Sequence, residues 1–292
     1  MDDSRQQLTG IGEIDRALEL HYARLSPGQR QAIDRLLADA RYGAVVSAPE
    51  LAEAAGVSES TVTRAAQSLG FSGFPDLQRH LRDRFVAPVE ARLTPVAERV
   101  PGERPPAAQL MLDDANRIRQ MVEDFPEATF EAAIDRLIAA GRVAVFGERG
   151  SHGLAVMLAI GLRLVLADAR MLDQAAGDLP DQLLGMGPGD VVFVISFRRV
   201  DRMTVDILRA ARKRGITTIA VTDHRSSGAA RVADIGLIVR IGTLRLMPAF
   251  AAGASLLTAL LEEVAMRQHE AAADRLHEAE ALWAEFRSYT ND

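Results

Sequence analysis

From Arg142 onward the sequence alternates between two periods. Short apolar runs at 143–146, 169–172, 191–195, 218–221 and 235–239 are separated by helical stretches near 153–166, 203–214 and 248–267. Brief runs rich in Val and Ile suit strands buried on both faces, and strands that alternate with helices pair in parallel because each must return by a crossover. This predicts an α/β domain with a five-stranded parallel sheet flanked by helices. Ligands of such sheets bind beyond the carboxyl ends of the strands. The loops that matter are then 147–152, 196–200 and 222–224.

The first half is helical throughout. Its stretch APELAEAAGVSESTVTRAAQSL, residues 48–69, reads as two short helices joined by a glycine turn. Ala52, Gly56 and Val62 fall where a helix-turn-helix needs a small residue at the helix crossing, a residue tolerant of positive φ, and an inward apolar side chain. Ser58 can cap the second helix, whose apolar stripe is Val62, Ala65, Ala66 and Leu69. Ser60, Thr61, Thr63, Arg64 and Gln67 occupy the opposite face, and with Ser58 they form a set of hydrogen-bonding groups suited to base edges and phosphates in a major groove. An ordinary helical hairpin shows small residues at its turn too. Context decides between the two.

Composition narrows the class. With 292 residues, 48% of them hydrophobic, the chain has enough material for two domains with their own cores. A net charge of −6 excludes bulk electrostatic attraction to DNA, so any basic footprint is local. Between residues 58 and 84, Arg64, Arg79, Arg82 and Arg84 face Glu59, Asp76 and Asp83, which is nearly neutral. The absence of cysteine removes disulfides, thiol nucleophiles and cysteine metal sites, and the six histidines show no paired ligand spacing, so neither metal nor cofactor is expected. The N-terminal MDDSRQQ has no basic stretch followed by an apolar core, and Arg163 interrupts the best apolar run. A soluble cytoplasmic protein with no membrane partner is the expectation.

Along the chain, Ile14, Leu18 and Leu25 suggest a leading amphipathic helix. Ser26-Pro27-Gly28-Gln29 starts another, with Ser26 as cap and Gln29 three residues on. Gly70 stops the reading helix, Phe71 and Phe74 should plug the core, and a helix follows over 76–85. Pro88, Pro95, Pro101, Pro105 and Pro106 mark a hinge. Helices over 107–125 and 130–140 lead into the α/β domain. The expected division is a helix-turn-helix domain at 1–85, a linker and connecting helix at 86–127, the α/β domain at 128–268, and a C-terminal helix at 269–292. Leu276, Leu282, Trp283 and Phe286 on that last helix should pack on the α/β domain or on a partner subunit.

Three stretches in order, LAEAAGVSESTVTRAAQSLGFSGFPDLQ at 51–78, GPGDVVFVISFRR at 187–199 and RGITTIAVTD at 214–223, resemble the RpiR family of bacterial transcriptional regulators. That family joins an N-terminal helix-turn-helix domain to a C-terminal sugar isomerase (SIS) domain, and the resemblance spans nearly the whole chain. It implies phosphosugar binding through a GxGxS loop after the first strand and an S-x-S-G-x-T loop after the third. Here Gly147 and Ser151 match the first loop and Ser196 the start of the second. Arg149 replaces the middle glycine, Arg198 and Arg199 replace serine and glycine, and Asp201 replaces threonine.

A hydroxyl-rich cradle has thus become arginine-rich. Guanidinium groups recognise carboxylates and phosphates through paired hydrogen bonds, so Gly147, Arg149, Ser151, His152, Ser196, Arg198 and Arg199 are expected to bind a small anionic metabolite such as a phosphosugar or sugar acid. An arginine cluster that pairs with Glu148, Asp201 and Asp223, or that holds a subunit interface, is the alternative. Glu148, His152 and His224 could serve as acid or base in a sugar-phosphate isomerase, but no spacing singles them out and no catalytic residue is assigned. The expected protein is therefore a non-enzymatic regulator that binds a double-stranded DNA operator as a homodimer or homotetramer, or, failing an effector, a degenerate SIS domain serving only to dimerise.

Overall fold

The computed structural model describes residues 14, 17–18, 20–38, 43, 46–85, 106–174, 177–197, 200–225, 227–239, 241 and 249–289. The proline-rich stretch read as a hinge lies outside them up to residue 105, as do Arg198 and Arg199. The chain divides into two compact units, the first built on residues 1–106 and the second on the bulk of 107–292.

In the first unit the helix boundaries follow from capping chemistry. Helix α1 (Pro27–Ala38) opens with Ser26 N–H donating to Gln29 Oε1 at 2.9 Å and Gln29 N–H donating to Ser26 Oγ at 3.4 Å. Pro27 takes the first position, where no donor is required. Helix α2 (Ala48–Ala55) repeats the device with a capping box of Ser47 and Glu50. It ends at Gly56, whose φ of +63° is the left-handed conformation that terminates a helix most cheaply in glycine. Helix α3 (Glu59–Ser68) starts from the Ser58 cap, which accepts from Thr61 N–H at 3.2 Å, and α4 (Phe74–Phe85) follows the Gly70 turn.

One core unites these helices: α1 packs on α2 and α3, and α3 packs on α4. Ala52 and Val62 are 5% and 1% exposed, as a close helix crossing demands. Phe71 and Phe74 are buried in the same core with Leu51, Leu77 and Leu81, and each such large side chain contributes roughly 2–3 kcal/mol. Ile14, Leu18 and Leu25 join it, although much of the leading helix lies outside the described residues.

The entry to α4 carries a pH dependence. The backbone N–H of Ser72 donates to Asp76 Oδ2 at 2.9 Å, and Arg79 lies 2.6 Å from Oδ1. The Ser72 donor first, then Arg79, hold this carboxyl at about 2, below its ordinary 3.8. A depressed carboxylate stabilises the fold at pH values above its unfolded range and loses that contribution as pH falls toward the folded value. Asp76 is partly exposed, so we expect wild type to exceed Asp76→Asn by about 1 kcal/mol at neutral pH and the difference to shrink as pH falls below about 4, with most of it lost by about pH 2, in urea melts.

The second unit begins with α5 (Pro106–Glu123) and α6 (Glu127–Ile138). Helix α6 starts earlier than expected because the Pro126 carbonyl accepts from Thr129 and Phe130 N–H and begins the helix there. The alternating elements are then β1 (Val143–Gly147), α7 (His152–Val165), β2 (Ala169–Met171), β3 (Val191–Ile195), α8 (Arg202–Lys213), β4 (Thr217–Thr222), α9 (Gly228–Val232), β5 (Ile235–Ile238), α10 (Ala251–Arg267) and α11 (His269–Glu285). All five strands are parallel in the order β2-β1-β3-β4-β5, as the sequence period predicts. The single-turn α9 has no sequence signal of its own.

Side-chain alternation explains the layers. Val143, Val145, Val191, Phe193, Ile195, Ile219 and Val221 point to one face and pack with α6, α7 and α10. Ala144, Phe146, Val192, Val194 and Ala220 point to the other and pack with α8 and the loop residues Leu172, Leu179 and Leu183. Both faces are covered, so every residue of β1 and β3 is buried. Helix α11 lies against α7 and α10. Leu276, Leu282 and Phe286 remain 41%, 48% and 77% exposed, so the described residues cover the first two only in part and the third little, while Trp283 meets Tyr289 edge-on.

Candidate functional site

Two surfaces carry the residues singled out by sequence. On α3 the apolar stripe is fully inward, with Val62, Ala65 and Ala66 at most 1% exposed. Ser58, Ser60, Arg64 and Gln67 are exposed and Thr61 and Thr63 half-buried, so all six lie on the outward side. They are also tied to one another. Ser58 Oγ lies 2.9 Å from Ser60 Oγ and 2.8 Å from Thr61 Oγ1, while Arg64 donates to the Ser60 carbonyl at 3.2 Å and to Ser60 Oγ at 3.0 Å. The guanidinium is laid back along the first turns of the helix, where a recognition helix meets a groove. Arg79, in contrast, is engaged by Asp76.

The second surface is set by the sheet. In the order 2-1-3-4-5 the topology reverses between β1 and β3, the switch point beyond whose strand ends sheets of this kind hold ligands in a crevice. Gly147 is in register with Ile195, so Glu148 and Ser196 leave from neighbouring strand ends. A Cβ on Gly147 would sit 2.9 Å from both Ala155 Cβ and the Ser151 carbonyl, so only glycine lets the chain turn this tightly into α7. Residues 149–151 form a single tight turn, Ser151 N–H donates to the Glu148 carbonyl at 2.9 Å, and His152 Nδ1 lies 3.3 Å from the Gly147 carbonyl.

Arg149 has φ +51°, the left-handed conformation that glycine adopts freely, so here an arginine bears its cost. We expect Arg149→Asn to fold like wild type, because asparagine tolerates this region, and Arg149→Val to lose about 1–2 kcal/mol in chemical denaturation, because a β-branched residue does not. Equal losses from both changes would show that the charge, not the backbone, is what matters.

The crevice brings together Gly147, Arg149, Ser151, His152 and Ser196, with Arg149 and His152 exposed and the two serines 6% exposed. It also brings in a pair that the sequence reading left out of the site. Asp201 caps α8 by accepting from Met203 N–H at 3.0 Å, and its negative charge acts on Glu148. Burial first, and Asp201 second, push the Glu148 carboxyl above its ordinary range, against the pull of Gln174 and Arg149. Gln174 donates to Glu148 Oε1, and Oε2 is buried without a hydrogen-bond partner. The available signal was an aspartate just ahead of a helical run, which marks a cap but not a partner across the sheet.

Residues 13–88 match the helix-turn-helix domain of the rpiR family, and residues 136–262 match the SIS domain. The chain belongs to the RpiR family. Its relatives include the uncharacterized HTH-type transcriptional regulator YbbH of Bacillus subtilis, 24% identical over 73% of this chain and 75% of that one, and HexR of Pseudomonas aeruginosa, 25% identical over 68% and 69%. The sugar isomerase domain of an RpiR transcription factor from Sphaerobacter thermophilus superposes with a TM-score of 0.58 at 28% identity, covering 61% of this chain and 99% of that domain. The NanR protein of Vibrio vulnificus, complexed with ManNAc-6P, shares the fold over 94% of this chain and 98% of its own, with a TM-score of 0.57 at 17% identity. This RpiR-family chain is thus a transcriptional regulator with a DNA-binding helix-turn-helix domain and an SIS domain. Among the described residues no helix is long and apolar enough to cross a membrane, and no cluster of side chains is suited to a metal ion.

Proposed function

We propose that this regulator reads a specific operator through α3 and senses a small anionic metabolite at the β1/β3 crevice. The reading is carried by one observation: the loops after β1 and β3, where the resemblance places the ligand loops, leave from neighbouring strand ends at the topological switch point. Arg149 offers a cation, Ser151 sits at the start of α7 where backbone donors and the helix dipole favour anions, and Arg198 and Arg199 extend the same loop set in sequence. Ser58, Ser60, Thr61, Thr63, Arg64 and Gln67 contact base edges and phosphates. Two half-sites require two readers, so the working form is a homodimer or a multiple of it, in the cytoplasm where the operator is. No catalytic role is assigned, since an isomerase needs an acid and a base poised on its substrate, and the curated relatives are named as transcriptional regulators.

The ligand acts by binding one dimer geometry more tightly than another, which changes the spacing of the two reading helices. The experiment is titration of the full chain with DNA from upstream of its own gene across a salt series, with and without a panel of sugar phosphates and sugar acids. Saturable, sequence-selective binding that shifts with one of these anions supports the proposal. Selective binding that no ligand alters, and that is equally unaltered in Arg149→Ala with Arg198→Ala, would leave the SIS domain as a dimerisation module. Absence of selective binding at any salt would overturn the operator reading.

A further inference from the structure

The outer end of α11 leaves the body of its unit with an apolar face uncovered. Its inner end is seated: Ala272 is 4% exposed, and Arg275 Nε donates to the Arg163 carbonyl at 3.1 Å, close to where α7 ends at Val165. From Leu276 to Tyr289 every residue except Ala279 and Trp283 is exposed. The seated face nevertheless continues outward. Ala272, Leu276, Ala279, Trp283 and Phe286 are four, three, four and three residues apart, which is the seam spacing of helices that pair along their length. Leu282 flanks this seam, and Tyr289 meets Trp283 edge-on beside it. A helix end of about three turns gains too little from its own hydrogen bonds to hold its shape in water, so packing of this face must supply the rest. Single exposed apolar residues are ordinary, but a row of them along one helix face marks a contact surface.

We infer that a second copy of this chain covers the face, with the outer ends of the two α11 helices side by side and antiparallel. The inference rests on the homodimer proposed above and assigns it a contact. The seam is self-complementary in this direction, as a two-fold contact requires. With the axis near Ala281, Leu276 faces Phe286 of the partner subunit, small Ala279 faces bulky Trp283 of the partner subunit, and the two copies of Leu282 lie beside the axis. Parallel helices would instead set tryptophan against tryptophan and alanine against alanine. They would also bring the second copy's α7 into the space that α7 already fills against Ala272, whereas antiparallel helices overlap only at their free ends. Covering Leu276, Leu282, Trp283, Phe286 and Tyr289 on both copies removes about 1,000 Å² from water, the size at which a specific interface begins.

The test uses the full chain, which has no cysteine of its own, so one introduced thiol reports a contact between copies. Leu282→Cys should form a covalent dimer on mild oxidation, because its two copies lie side by side. Tyr289→Cys should not, because antiparallel helices hold its two copies about 20 Å apart along the axis. Sedimentation equilibrium across a protein concentration series gives the second readout. Leu282→Asp combined with Phe286→Asp should raise the dissociation constant of the dimer by roughly 100-fold or more. Its thermal melt should still show a folded chain, because both side chains are exposed in the single copy. Cross-linking at Tyr289→Cys as ready as at Leu282→Cys would bring the tips together and overturn the antiparallel pairing. No cross-link at Leu282→Cys, or a dissociation constant that the double variant leaves unchanged, overturns the seam and leaves the dimer to another surface. A wild type that stays monomeric at every concentration removes the dimer and the seam together.

Discussion

Arg64→Ala should lower operator affinity by roughly 10- to 100-fold, the loss of about 1–3 kcal/mol that accompanies removal of one good base or phosphate contact. The side chain is exposed, and among the described residues it hydrogen-bonds to Ser60 of its own helix, so the core that positions α3 does not depend on it. Its melting temperature should therefore match wild type. Fluorescence anisotropy on an operator duplex, run at several salt concentrations, separates two roles. A base contact costs affinity for the operator more than for random DNA, whereas a phosphate contact weakens both and lowers the salt slope by roughly one. The effect is large because the surrounding charge is small. The whole chain carries −6, and Arg79 is engaged by Asp76, so there is little bulk attraction to DNA to make up the loss. Unchanged affinity for both kinds of DNA would remove α3 as the reading helix.

Gly147→Val should cost about 1–3 kcal/mol of stability and abolish the ligand response of the SIS domain. A Cβ at this position already meets Ala155 and the Ser151 carbonyl at 2.9 Å, and neither neighbour is the free end of a flexible chain. The turn into α7 would have to open, displacing Ser151 and the peptide that carries Glu148. Thermal melts report the stability loss, and anisotropy with and without ligand reports the response. Gly153→Ala is the matched control, because a Cβ there meets nothing within 4 Å and should leave both readouts alone. A variant at Gly147 that melts and responds like wild type would mean the loop can relax, and the crevice would lose its claim to a fixed geometry.

Much of the architecture was legible because it rests on local rules. The strands at 143–147 and 191–195 show themselves as apolar, β-branched runs, and the parallel order follows from the helices between them. The caps at Ser26 and Ser58 are visible as serines just ahead of helical runs. The site was legible only where one loop could be read by itself. Arg149 could be seen replacing a glycine, but its φ of +51° could not, because conformation depends on how α7 packs on β1. The Glu148–Asp201 pair spans more than fifty residues of sequence and two loops, and no periodicity links such positions. Leu276, Leu282 and Phe286 show the same limit from the other side. Their apolar character was plain, but their burial depends on which neighbours they meet, and the described residues leave them partly or largely exposed.

The complete burial of β1 and β3 also bears on how a ligand signal can leave the crevice. A close-packed layer of this kind resists internal deformation, so a small displacement at one end is conserved along the element instead of being absorbed. Helices α7 and α8 leave directly from the two loops that would grip a ligand, and both are seated on that unyielding sheet. They behave as lever arms with their short ends in the crevice. Whatever surface lies at their far ends receives the movement as a change of position, not as a change of order.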